Sequence, residues 1–233
     1  MVNGSRAEVG VSIDKLRVLR ASTLHLLEHE ECTGRELARL LGRWTWAMLV
    51  VRPALALFSA VYRFIAISGV RRFQLWPSVR RELYTVAMIA PLLFRSLRST
   101  FSSVVVATDA SSLGEGVTRA VVPQDMIAEA AAAASTPGAP LCPPVSDFVE
   151  TSRWSTVIAH RWTDDEHINV LEVRAVLAGV RWALSQPGVV AAGRLLVLSD
   201  SSAAVGSLRK GRTSSYEMLR PLRSLHALLL ASG

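Results

Sequence analysis

Cysteine is nearly absent. The 233 residues hold two, Cys32 and Cys142, far apart and with no further Cys or His at ligand spacing. That argues against a disulfide framework and a zinc site, and it fits a reducing intracellular compartment, nucleus or cytoplasm. Lysine is equally scarce, Lys15 and Lys210 alone, so arginine carries the positive charge. The opening MVNGSRAEVG has no apolar core and does not read as a secretory signal. A long uninterrupted apolar run is missing too. The nearest, WTWAMLVVRPALALFSAVYRFIAI (44–67), is broken by Arg52, Pro53 and Arg63. Two charges within a span are costly, so buried helices are expected there, and a membrane-associated helical protein is the weaker reading.

What is present is apolar bulk and uneven charge. Half the residues are hydrophobic, enough for one large domain or two smaller ones. Residues 1–100 carry 15 Lys+Arg against 7 Asp+Glu, while residues 101–233 carry 11 against 12. The basic excess of the first hundred suggests a polyanionic partner, unless it is an ordinary Arg-rich surface.

The first hundred residues read as an all-helical region. Val11, Leu16, Leu19, Leu24 and Leu27 recur at helical spacing. TGRE (33–36) has the form of a capping box, Thr33 to Glu36, opening a second helix to about Val50. Pro53 suits the first turn of a third helix to about Ile67, and residues 76–99 read as a fourth, kinked at Pro91. Trp44, Trp46 and Trp76 are expected in the core rather than as stacking platforms.

After Ser99 the period changes. SSVVVATDA (102–110) reads as a buried strand, SSLGEG as a turn and GVTRAVV as a returning strand. A disordered insertion is expected near 124–152, Ala-rich helix at most in part and otherwise Pro-rich loop. RWSTVIAHRW (153–162) reads as a strand and residues 168–185 as a helix with Asn169 as N-cap. GRLLVLSD (193–200) is a second buried strand, followed by two more helices. This order predicts an α/β fold with a mixed sheet.

Two hydrophobic strands end alike, in Asp109 and Asp200, and Glu172 is expected in the first turn of the helix between them. Strand ends at a sheet edge are where α/β folds bind ligands. Three acids meeting there would repel one another unless cations neutralised them. Oxygen ligands suit Mg²⁺ or Mn²⁺, the ions of two-metal phosphodiester cleavage. The competing reading of Asp109 and Asp200 is as caps of the turns that follow, and of Glu172 as half of a capping box with Asn169. Lys210, Arg212 and Ser214, in LRKGRTSS (208–215), either grip phosphates or simply end a helix at Gly211. His160, His167 and His226 stand in no ligand spacing, and His167 belongs to the turn before the helix. Asp164 and Asp165 read as a solvated loop.

TDAS (108–111) with its Gly-containing turn, HINVLEVRAV (167–176) and LSDSSAAVGSLRKGRTSS (198–215) resemble the ribonuclease H domain of retroelement reverse transcriptases, DIRS-type elements above all. The resemblance covers about residues 101–233, and residues 1–100 look like the thumb and connection helices that precede such a nuclease. It implies a ribonuclease H-like mixed sheet with flanking helices, and Mg²⁺- or Mn²⁺-dependent hydrolysis of RNA in RNA–DNA hybrids, impaired where the fourth acid is missing; the alternative is a catalytically inactive nucleic-acid-binding remnant. Asp109, Glu172 and Asp200 match three of the family's four metal-binding acids. The partner implied is nucleic acid, with no membrane. The sequence departs from the family in three ways. GEG (114–116) stands where Gly-Trp-Gly is common, the insertion is long, and the sequence reaches Gly233 before the last strand and the fourth acid. A polymerase is not expected, because the palm's paired acids should precede the thumb-like helices, whereas Asp164 and Asp165 follow them.

Overall fold

The computed structural model describes residues 2–5, 7–134 and 149–232. Its first hundred residues form four helices, α1 (Ile13–His29), α2 (Gly34–Met48), α3 (Ala60–Ser68) and α4 (Pro77–Ile89). Their inward faces share one core that includes Leu37, Trp44, Phe64 and Leu83. The capping box is present: Thr33 Oγ1 accepts from the Glu36 N–H at 3.1 Å, and Glu36 Oε2 accepts from the Thr33 N–H at 2.8 Å.

This half is not all-helical. Short strands β1 (Val2–Asn3), β2 (Glu8–Gly10) and β5 (Phe94–Ser96) make a three-stranded antiparallel sheet, and β3 (Glu31–Thr33) pairs with β4 (Arg72–Gln74). The expected third helix is also divided. Arg52–Leu57 winds as a 3₁₀ helix, and α3 starts afresh after Ser59. The fourth helix stops at Ile89, before Pro91, whose ring and missing N–H cannot continue it. Of the three tryptophans, Trp44 is buried, Trp76 half-buried and Trp46 exposed beside the Lys15 ammonium.

The second half is an α/β unit with a mixed four-stranded sheet. β6 (Thr100–Ala110), β7 (Gly114–Val121) and β8 (Ser155–Arg161) form an antiparallel meander, and β9 (Gly193–Leu198) pairs parallel to β6, giving the order β8-β7-β6-β9. Side chains alternate along β6. Val105 packs towards α5 (Gln124–Ala134) through Ile127 and Ala130, and Val106 and Thr108 face α6 (Ile168–Leu184). Gly179 permits the close approach of α6, because a Cβ there would lie 2.8 Å from the Thr108 methyl carbon. The insertion is therefore ordered helix over Gln124–Ala134, and residues 135–148 of it lie outside the described residues. A short helix α7 (Pro187–Ala192), not anticipated, leads into β9. α8 (Ser202–Lys210) and α9 (Tyr216–Ala231) follow.

The two halves share contacts through the 3₁₀ segment. Ala56 is buried with Val170, Val173, Ala204, Met218 and Leu222. Arg223 of α9 donates to the Ala56 carbonyl at 2.9 Å and the Leu57 carbonyl at 2.7 Å, and pairs with Glu82 at 2.6 Å. Glu82 in turn accepts from the N–H groups of Ser59, Ala60 and Val61, each at 3.0 Å, so a side chain from α4 caps α3. No helix of the described residues is long and apolar enough to cross a membrane.

Candidate metal centre

β6 and β9 are parallel neighbours paired as far as Ala107 and Leu198. Asp109 and Asp200 each lie two residues beyond that pair, so both carboxylates stand at the same end of the sheet. Glu172 reaches this end from α6. It is the fifth residue of that helix, just past the first turn where it was expected. One carboxylate oxygen from each of the three lies within 4.8 Å of those of the other two.

The capping roles that competed for these acids belong to other residues. Ser201 Oγ caps α8 through the Ala204 N–H at 3.3 Å. Ser111 Oγ accepts from the N–H groups of Leu113 and Gly114 in the turn after β6. The N-cap of α6 is His167 rather than Asn169: its Nδ1 accepts from the Asn169 N–H at 3.2 Å. The expected cap was two residues late, because an imidazole nitrogen serves here where an amide oxygen usually does.

Burial separates the three acids. Asp109 and Asp200 are exposed, whereas Glu172 retains 7 % of its accessibility and its Oε2 is buried with no hydrogen-bond donor among the described residues. Burial is the main cause pushing the Glu172 carboxyl above the usual carboxylate range, with the charges of Asp200 and Asp109 adding to it. A buried carboxylate that keeps an oxygen without a donor among the described residues, beside two like charges, is a position that a cation would satisfy. The donors are all carboxylate oxygens, a set suited to Mg²⁺ or Mn²⁺ rather than to a thiophilic metal. No family model matches the chain. No curated protein or solved structure matches it significantly either.

The other candidates fall elsewhere. Lys210 and Arg212 are exposed at the far end of α8 from Asp200, about 14 Å along a nine-residue helix. Gly211 ends α8 in the left-handed region at φ 67°, its N–H donating to the Leu208 carbonyl. Ser214 lines a cleft with Arg63 and Arg81 of the helical half. Sequence reasoning missed those two arginines individually, although the basic excess of the first hundred residues pointed to their region. Asp164 and Asp165 are exposed in a loop. His160 is exposed on β8 opposite Glu115, and His226 is buried in α9.

Proposed function

We propose that the unit carrying the carboxylate site is a ribonuclease H-like domain of retroelement origin, hydrolysing the RNA strand of RNA–DNA hybrids with Mg²⁺ or Mn²⁺. The observation that carries this reading is the convergence of Asp109, Glu172 and Asp200 at one sheet end, with Glu172 buried and one of its oxygens unpartnered. The strand order supports it as well: an antiparallel meander whose first strand pairs in parallel with the strand after the helix. Asp109 and Asp200 would hold the ions on their exposed side, and Glu172 would anchor them from the protein interior. Bound divalent ions supply water activation and stabilisation of the leaving oxygen in phosphodiester hydrolysis.

Cleavage of a labelled hybrid in Mg²⁺ tests the proposal. The chain should cut the RNA strand, and Asp109→Asn should abolish cutting. The same substitution should weaken Mn²⁺ binding by more than about tenfold, a loss that even an outer-shell change can bring to a metal site. Cleavage that survives Asp109→Asn overturns the assignment.

A second reading is a nucleic-acid-binding remnant without turnover. What favours it is that, among the described residues, the cluster holds three acids where the resemblance implies four. Hybrid binding with no cleavage in either Mg²⁺ or Mn²⁺ would select it.

A further inference from the structure

Between the helical half and the loop that joins α8 to α9 lies a cleft of roughly 600 Å³. One wall is basic: Arg63 of α3 and Arg81 of α4 line it, both exposed, and neither pairs with a carboxylate among the described residues. The opposite wall is Thr213, Ser214 and Ser215, followed by Tyr216, a residue 86 % exposed. Trp76 borders the cleft from below, braced edge-on against Phe64 at 5.3 Å. Glu82 is the acid in its lining, and its charge is already met by three backbone N–H groups and by Arg223. Within the lining the free charge is therefore that of Arg63 and Arg81, while Glu217, exposed in the first turn of α9, lies outside the lining residues.

Unpaired guanidinium groups, hydroxyl donors and an exposed aromatic ring on one cleft match the parts of a nucleotide: phosphate oxygens for the first two, a base face for the third. We propose that this cleft holds a single strand of nucleic acid, with Arg63 and Arg81 on consecutive phosphates and Tyr216 stacked on a base. A duplex keeps its bases inside and offers Tyr216 no free face, so the single strand is the occupant the chemistry favours. The inference takes from the preceding section only that the partner is nucleic acid. It requires neither bound metal nor cleavage.

The probe is a fluorescent twelve-residue oligothymidylate, titrated into the full chain in EDTA over a range of salt. The wild-type chain should bind with strong salt dependence. Arg63→Gln with Arg81→Gln should lower the salt slope by about 1.4, at 0.7 for each lost contact to single-stranded phosphate. Tyr216→Ala should weaken binding about tenfold and leave the slope unchanged, as loss of stacking without loss of charge. Arg63→Lys with Arg81→Lys keeps the charge and should retain the slope, which separates an electrostatic role from a folding defect. A blunt duplex of the same length should bind the wild type more weakly than the single strand. The proposal fails if the glutamine variant binds with unchanged affinity and slope, or if Tyr216→Ala has no effect. Hybrid cleavage measured in parallel keeps the two readings apart: cutting with no role for the cleft refutes this inference alone, and cleft binding without cutting refutes only the nuclease.

Discussion

Glu172 is unfavourable to the fold that contains it. Its buried oxygen has no donor among the described residues and two other carboxylates stand nearby, so folding favours the protonated acid. A carboxyl whose pKa is higher in the folded chain than in the unfolded one contributes stability at low pH, and that contribution is lost as pH rises through the folded value. At neutral pH without metal, Glu172→Gln should therefore be more stable than wild type, with Tm raised by about 2–4 °C if the gain is near 1 kcal/mol. Adding Mn²⁺ should reverse the order, because only the wild-type carboxylate gains from the cation. Thermal melts in EDTA and in Mn²⁺ check both halves, and an unchanged order in the two conditions would speak against a cation at Glu172. His226 has the opposite sign. It is 2 % exposed, and burial pushes its pKa from 6.5 down to about 4. The Pro53 carbonyl beside it favours the charged ring but does not reverse this. A depressed histidine stabilises the fold above pH 6.5, and that contribution, about 3 kcal/mol at full size, disappears as pH falls towards 4. Denaturant titrations across that window should show the loss, and His226→Leu should flatten it.

At the scale of elements, the parts most legible in the sequence are those with a long period or a strong local signal. β6 and β9 are continuous apolar runs ended by acids, α6 is apolar on the face it buries, and Thr33–Glu36 is a capping box in both reading and fact. The three acids were legible because each sits at the end of a strand or the beginning of a helix. Three-residue strands such as Cys32 against Phe73 are too short to display alternation, so β1 to β5 left no trace. The break before α3 was hidden for another reason: the groups that cap it come from Glu82, more than twenty residues away. Glu82→Ala removes that cap and leaves Arg223 unpaired. It should cost about 3 kcal/mol, the scale of breaking a partly buried ion pair, measurable as a shift in urea midpoint at constant m.

The whole molecule is more tightly joined than a boundary near residue 100 suggests. Ala56 is buried against α6, α8 and α9, and an ideal Cβ on Gly211 would lie 2.1 Å from the Arg52 carbonyl oxygen. With no room for a side chain and φ in the left-handed region, Gly211→Ala should strain the loop and loosen the halves at once. Residues 100–233 expressed alone would expose this apolar seam, and they should unfold without a cooperative transition or self-associate. A sharp thermal transition from a monomeric 100–233 fragment would show that the seam is dispensable.

The Arg223 clasp has a consequence in time. Its bonds to Ala56 and Leu57 span 167 and 166 residues of sequence, so the cap and floor around α3 wait on a helix that leaves the ribosome long after them. Closing a loop that long is entropically slow before any contact repays it, and folding dominated by such contacts is slow in turn. A nascent chain halted near residue 210 should therefore hold residues 52–59 open to protease, and synthesis through α9 should close them. Arrested chains of graded length, challenged briefly with protease, would place that moment at the emergence of Arg223.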